Sequence, residues 1–188
     1  SLPNETGIPG PQADHVEFHL RPVPETSGAI EAFMSADGFR PAGSGSLDAR
    51  AHVRLESGAG LLAGQQLADL PRMEDGALPI ELALLSLASG NTEITARGPL
   101  HITASGALDG KVELQIKEID GMDKLLGNLF PEGSTLPASL KGTAVALGTP
   151  GDDAEGNPVI KVPLTIDQGN FKVGIVPLGI TIPPLEHF

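Results

Sequence analysis

Apolar and polar residues alternate through several segments of this chain, and a period of two is the pattern of a β-strand. The clearest segment covers residues 46–56, where every second residue is apolar and the residues between them are charged or histidine. At ~3.3 Å per residue this strand is ~30 Å long. One face is polar and therefore wet, which is typical of an antiparallel sheet. Residues 14–20 repeat the pattern and predict a second half-buried strand, with Val16, Phe18 and Leu20 on its apolar face.

Two hairpins are predicted in the second half of the chain. In the first, a three-residue loop of Leu108, Asp109 and Gly110, with Gly110 at positive φ, brings the apolar residues of both strands onto one face. In the second, a four-residue loop over 167–170 does the same. That loop pairs three apolar residues with three others, which are Ile166 with Phe171, Leu164 with Val173, and Val162 with Ile175.

Helices are predicted between the strands. Residues 120–130 place Met122, Leu125, Leu126 and Leu129 on one stripe. Residues 79–88 are apolar nearly all round and predict a buried helix, and the other helical segments are 138–147, 60–70 and 29–35. The resulting fold class is α+β, a curved or twisted antiparallel β-sheet with several short helices packed on one face. The 188 residues suit one domain, 1–188, in which 1–13 are turn-rich and irregular.

Composition excludes several classes of function. The formal net charge of −12 argues against nucleic acid as a partner. The chain has no cysteine, so disulfides, thiolate metal sites and cysteine nucleophiles are excluded. Its aromatic residues are six phenylalanines, so the core must be aliphatic. No run of apolar residues reaches the ~18–20 needed to span a bilayer.

Three short segments contain residue types found in metal-binding or nucleotide-binding sites. His15, Glu17 and His19 share one face of a strand and are residue types that bind zinc or iron. They lie in a line ~13 Å long, however, and only two adjacent ligands could reach one ion. We therefore interpret them as the polar face of a half-buried strand and expect no metal site. The further ligands that a metal site needs would be Asp14, His52 and His101.

The other two segments are a glycine motif and an acidic loop. Residues 58–63 match the dinucleotide fingerprint G-x-G-x-x-A, yet the preceding strand carries charged residues on one face, whereas a first Rossmann strand is apolar throughout. Residues 152–157 are rich in oxygen ligands but lack the spacing of an EF-hand loop. We interpret them as a flexible turn and a solvated loop. No hydrolase, phosphate-binding or zinc-protease motif is present, so we expect no catalytic residues and no cofactor.

The second half of the chain resembles a known family. Residues 103–116, the helix over 122–129, the hairpin over 162–174 and the closing segments 177–179 and 183–185 follow the order of an uncharacterised alphaproteobacterial envelope family related to AsmA-like proteins. The resemblance covers residues 98–185. It implies a periplasmic domain tethered to the inner membrane by an upstream segment, with a curved sheet whose concave face is apolar. It also implies kinship with larger proteins that move lipid between membranes.

These observations predict a non-enzymatic envelope protein with an apolar groove that binds lipid or another hydrophobic ligand. The alternatives are a scaffold module that binds another envelope protein through its sheet edge, and a hydrolase or metal enzyme. The oligomeric state stays open. The groove is predicted to contain small and aliphatic residues of the strands together with one phenylalanine, namely Ala49, Ala51, Ile102, Ala104, Gly106, Leu114, Ile116, Leu164 and Phe171.

Overall fold

The computed structural model describes residues 10–41, 45–130 and 134–185 and shows one open, curled antiparallel sheet. Strands hold 51% of the chain, so the fold is mostly β, and the predicted α+β balance is wrong. The ten strands are β1 (His15–Pro22), β2 (Ile30–Phe39), β3 (Leu47–Leu55), β4 (Leu78–Ser89), β5 (Thr92–Ile102), β6 (Leu108–Lys117), β7 (Thr149–Asp152), β8 (Pro158–Asp167), β9 (Asn170–Val173) and β10 (Val176–Thr181). Of the segment 1–13, predicted to be irregular, residues 1–9 lie outside the described residues.

The sheet order is β1-β2-β3-β4-β5-β6-β8-β9-β10, with β7 paired to β8, so all strands that follow each other in sequence are neighbours except β6 and β7. The described helices are short: α1 (Ala59–Leu62), α2 (Met122–Gly127) and α3 (Leu136–Leu147). Both α2 and α3 lie in the connection between β6 and β7. A helix forms in each of the predicted segments 120–130 and 138–147, although the first is limited to Met122–Gly127 and leaves Leu129 outside it. Of the helix predicted over 60–70, only α1 and a 3-10 turn at Leu67–Asp69 form.

Two predicted helices are strands instead. Residues 79–88 lie in β4 and residues 29–35 fall mostly in β2. A short, continuous apolar run has the same appearance in a buried helix and in a central strand, so periodicity cannot separate them. In β4 a bulge at residues 83–84 also breaks the period of two. Since β4 pairs on both sides, with β3 and with β5, its backbone groups are satisfied by the sheet.

The first hairpin turns four residues earlier than predicted. Thr103 donates its backbone N–H to the carbonyl oxygen of Ala107 at 2.8 Å, which closes a loop of Ala104, Ser105 and Gly106, and Gly106 has φ +82°. The loop length and the positive-φ glycine are those predicted, but the predicted position is wrong. Ala104 and Gly106 therefore lie in the β5–β6 turn and not on a strand face.

The predicted common face of Ile102 with Val112, Leu114 and Ile116 is confirmed, whereas the placement of Ala104 and Gly106 on that face is wrong. Ile102 pairs with Leu108, and the register continues without a shift to Ile94 and Ile116. Residues of the same parity along β6 share a face, so Ile102 and Val112 lie on the same side of the sheet.

The second hairpin has a two-residue turn. Asp167 pairs with Asn170, and Gln168 and Gly169 have φ of +49° and +76°, as in a type I′ turn. The predicted pair of Ile166 and Phe171 is confirmed. The strand β9 ends at Val173, so the predicted partner of Val162, Ile175, is not in the ladder and is 96% exposed.

A line of backbone irregularities crosses β4, β5 and β6. It consists of the bulge in β4, Gly98 at φ +151° and Gly110 at φ +148°. A Cβ at Gly110 would lie 2.5 Å from the carbonyl oxygen of Pro99, and glycines inside strands mark such close backbone approaches and bends. The line separates two apolar clusters, one under α2 and α3 and one around Ile30 and Leu78.

We predict that Gly110→Ala lowers the free energy of unfolding by about 1–3 kcal/mol. The alanine would have to adopt a positive φ, and its Cβ would contact the backbone of β5. Denaturant unfolding measures this. The matched control is Gly142→Ala in α3, where nothing lies within 4 Å of the added Cβ, and which should stabilise the protein by about 0.5–1 kcal/mol. Equal stability of the two variants would contradict the close approach at Gly110.

Candidate functional site

The inner face of the sheet is apolar across seven strands. Residues that pair directly in an antiparallel sheet point to the same side, so the registers define rows that cross the strands. One row is Val16, Ala36, Ala49, Leu87, Ile94, Ile116 and Ile160. The next row is Phe18, Met34, Ala51, Leu85, Ala96, Leu114 and Val162. Six strand spacings make this apolar floor ~29 Å long.

Two helices cover the half of the floor nearest β8. Met122, Leu125 and Leu126 of α2 are buried against it, as the predicted stripe requires, and Leu129 packs at its margin. Ala144 of α3 is 4% exposed. Between helices and floor lies a cavity of about 180 Å³. Its lining is apolar except for Thr143.

The cavity is continuous with a bare part of the floor. Leu85 lines the cavity and is 37% exposed, so it lies at the mouth. Beyond it the same row reaches Met34 and Phe18, which are 48% and 65% exposed. We call this exposed part, over β1 to β4, the open strip. Contiguous exposed apolar surface is typical of an interaction or ligand site.

The predicted half-burial of β1 is therefore wrong. Its apolar residues lie on the floor as expected, but no element in the described part of the chain covers them, and all eight residues of β1 are exposed. The alternation predicts a face correctly, and it carries no information about what packs on that face.

The structure brings most of the predicted groove residues together. The cavity lining includes Leu114, Ile116, Leu164 and Phe171, and the floor over β1 to β4 includes Ala49 and Ala51. Ile102 is on the same face but belongs to the second cluster, across the line of irregularities. Ala104 and Gly106 are outside the groove because they form the β5–β6 turn.

The sequence-based prediction missed part of the lining. Leu85, Leu87, Ile94 and Ala96 come from β4 and β5. The first two are hidden in the sequence because β4 resembles a helix. The last two are found by extending the alternation backwards from Ile102, since every second residue of β5 from Ile94 onwards is apolar or glycine.

The outer face of the sheet is polar and holds His15 and His19. His15 Nε2 lies 3.0 Å from Glu17 Oε1, and His19 Nε2 lies 3.7 Å from Glu17 Oε2. The hydrogen bond and the charge of Glu17 raise the pKa of His15, and the same hydrogen bond lowers the pKa of Glu17. Within residues 10–41, 45–130 and 134–185, no three acidic, histidine or cysteine side chains converge as metal ligands.

The glycine motif and the acidic loop have structural roles. Gly58 is buried, and a Cβ there would collide with Ile30. The strand before it is antiparallel to both neighbours, unlike a dinucleotide-binding strand. In the acidic loop, Asp153 accepts hydrogen bonds from the backbone and side chain of Asn157 and from the backbone of Glu155, and the bonds from Asn157 are the main cause of its lowered pKa.

We predict that Glu17→Gln lowers the pKa of His15 towards its ordinary value, because the amide cannot stabilise the imidazolium by charge. An NMR titration of the histidine ring protons measures this. Glu113→Gln, on the same outer face but on β6, is the control and should leave the His15 titration in place. An unchanged His15 pKa in the Glu17 variant would contradict the pairing.

Helices of the described part of the chain are all too short or too polar to cross a bilayer. Comparisons with curated proteins and with solved structures found no match. A family model described as "Uncharacterized protein conserved in bacteria (DUF2125)" matches residues 3–181. The whole sheet, its covering helices and the cavity fall within that match, and the chain belongs to the DUF2125 family of bacterial proteins.

Proposed function

We propose that this protein is a non-enzymatic cell-envelope protein whose groove binds a lipid acyl chain or another elongated hydrophobic ligand. The observation that carries the proposal is the continuity between the cavity under the helices and the open strip, with Leu85 exposed at the junction. A ligand can enter along the floor without any rearrangement of the helices.

The energetics of the cavity favour a hydrocarbon ligand. The lining is apolar apart from Thr143, so the walls offer water almost no hydrogen-bond partner. Each methylene that leaves water for such a site contributes ~0.8 kcal/mol.

The shape of the groove favours one extended chain. The cavity reaches from Leu85 on β4 to Phe171 and Val173 on β9, which is four strand spacings or ~19 Å. A volume of about 180 Å³ spread over that length is a narrow slot. Among the described residues, none that lines the cavity carries a charge, so a polar head group would lie over the open strip, in water.

The cellular setting of the proposal comes from the resemblance over residues 98–185. It comprises relationship to AsmA-like proteins, an alphaproteobacterial origin, a periplasmic location and an inner-membrane tether upstream. That region supplies α2, α3 and the strands β6 to β10, which form most of the covered half of the groove. The resemblance implies a curved sheet with an apolar concave face, and the apolar floor of this sheet is consistent with that.

A second candidate function is a scaffold module that binds another protein through a sheet edge. The exposure of all eight residues of β1 favours it, because an unpaired strand edge is a template for β-augmentation.

We predict that Ala96→Phe weakens binding of a fluorescent fatty acid probe by at least about tenfold, equivalent to ~1.4 kcal/mol, because the ring fills the cavity. Ala96 is 5% exposed and lines the cavity. The matched control is Ala104→Phe in the exposed β5–β6 turn, which should bind as the wild type does. Fluorescence titration gives both dissociation constants.

A second variant keeps the test decisive if Ala96→Phe destabilises the fold by overpacking. Leu85→Asp places a charge at the cavity mouth, where the side chain is already 37% exposed. Its control is Val145→Asp on α3, where the side chain is 61% exposed. Equal probe affinity in both aspartate variants, or no probe binding by the wild type, would overturn the proposed groove.

A further inference from the structure

The outer edge of β1 is the least protected edge of the sheet. β1 is the terminal strand, and in the described part of the chain nothing pairs with its free side. Edge strands are commonly protected by a lysine, a proline, a bulge or a charge on the buried face. β1 has no lysine, its one proline is its last residue, and it pairs with β2 without a register shift. Its charged residues all lie on the outer face, so it is able to accept another strand.

The backbone of β1 points the required groups outwards. Val23 donates its N–H to the carbonyl oxygen of Ala29, in the register that pairs Pro22 with Ile30. Residues two apart in a strand direct their backbone groups to the same side. The odd-numbered residues of β1 therefore bond to β2, and the N–H and C=O groups at the free edge belong to Val16, Phe18 and Leu20.

We infer that β1 pairs antiparallel with β1 of a second copy of this chain, with Phe18 opposite Phe18. Registers that keep both apolar faces on one side are spaced two residues apart. The register centred on Phe18 aligns residues 15–21 of both copies. A shift of two in one direction would place Pro22, which has no N–H, opposite Val16. A shift in the other direction would place the two Glu17 carboxylates opposite each other, which is unfavourable.

The side chains of β1 are self-complementary in this register. On the outer face, Glu17 of each copy lies opposite His19 of the other. On the inner face, Val16 lies opposite Leu20, with the two Phe18 rings at the centre. At the ends His15 faces Arg21, whose charge is already paired with Glu31 at 2.8 Å.

The local charge of this edge also permits self-association. The chain carries a formal net charge of −12, which opposes contact between copies. In β1, β2 and β3, however, three arginines nearly balance the four carboxylates, so the formal charge of these strands is only −1 with the histidines counted as neutral. The edge at β1 is thus a surface where two copies can approach with little repulsion.

The pairing would join the two open strips. A two-fold axis perpendicular to the sheet keeps both apolar floors on the same side. The open strips of the copies then meet at Phe18 and form one strip of about seven strand spacings, ~34 Å, with a cavity at each end. The dimer would present one continuous apolar path between two cavities.

Disulfide trapping tests the register directly, because the chain has no native cysteine. Opposed residues of a hydrogen-bonded antiparallel pair have Cα atoms about 5.5 Å apart, within the disulfide range of about 4.4–6.8 Å. Phe18→Cys should therefore form a disulfide-linked dimer under mild oxidation. Val16→Cys is the matched control, since Val16 is 60% and Phe18 65% exposed, but the two Val16 positions would lie ~14 Å apart.

The expected result is at least about fivefold more linked dimer for Phe18→Cys than for Val16→Cys at equal protein concentration, because only the former meets disulfide geometry. Equal yields would overturn the register. Because the cysteine itself could perturb the edge, the mass of the unmodified protein is measured by analytical ultracentrifugation. A species of twice 19.3 kDa supports the inference, and a monomer at all concentrations overturns it.

Charge reversal supplies a second, independent readout. Glu17→Arg removes the one carboxylate of β1 and gives each paired strand two guanidinium groups on its outer face, which repel across the edge. It should therefore shift the dimer to monomer, whereas Glu113→Arg, on β6, should not. The double variant Glu17→His with His19→Glu exchanges the two residues, so a carboxylate still lies opposite an imidazole across the edge. This variant should form the dimer as the wild type does. A dimer insensitive to Glu17→Arg would show that the copies meet through another surface and would overturn the inference.

Discussion

The register of the antiparallel ladder is the constraint on which the rest of this structure depends. Because side chains alternate with a period of two, a slip of one residue in any strand would move its apolar set to the polar face. Seven strands keep their registers so that Ala49, Leu87 and Ile94 share one row with Ile116. Most of these strands are joined in sequence by short connections, and each tight turn fixes the register of the pair that it joins.

The same constraint explains where the helices lie. The two helices, of six and twelve residues, are ~9 and ~18 Å long, so each is shorter than the ~29 Å floor. Both helices are inserted between β6 and β7, so they cover the strands nearest to that insertion. Beyond Gly98 and Gly110, the other end of β4 and β5 packs with Ile30 and Leu70 in the second cluster. The part of the floor over β1 to β4 is left without a cover among the described elements.

The features that can be predicted from the sequence are those encoded by local pattern. The alternation in residues 46–56, the stripe of Met122 and Leu125, and the shared face of the first hairpin all follow from residue spacing. That residues 79–88 form a strand cannot be predicted in this way. Their side chains are apolar almost throughout, so the segment shows no period of two. The position of the first turn is also ambiguous, since both Gly106 and Gly110 have positive φ and only the ladder shows which one closes the loop. The exposure of Phe18 depends on which elements pack on the sheet, and the alternation of residues in one strand carries no information about that.

The distribution of charge bears on which surfaces of two copies can meet. Glu74 and Asp75 lie in the turn before β4, and Asp153 and Glu155 lie in the turn between β7 and β8. Part of the net charge of −12 is thus carried by turns at the rim of the sheet. Like charge there keeps copies apart and opposes nonspecific contact between exposed apolar strips. At β1 the charges nearly balance, so repulsion is weakest where the backbone is unpaired. This combination favours one specific contact, strand edge to strand edge, over indiscriminate association of the apolar faces.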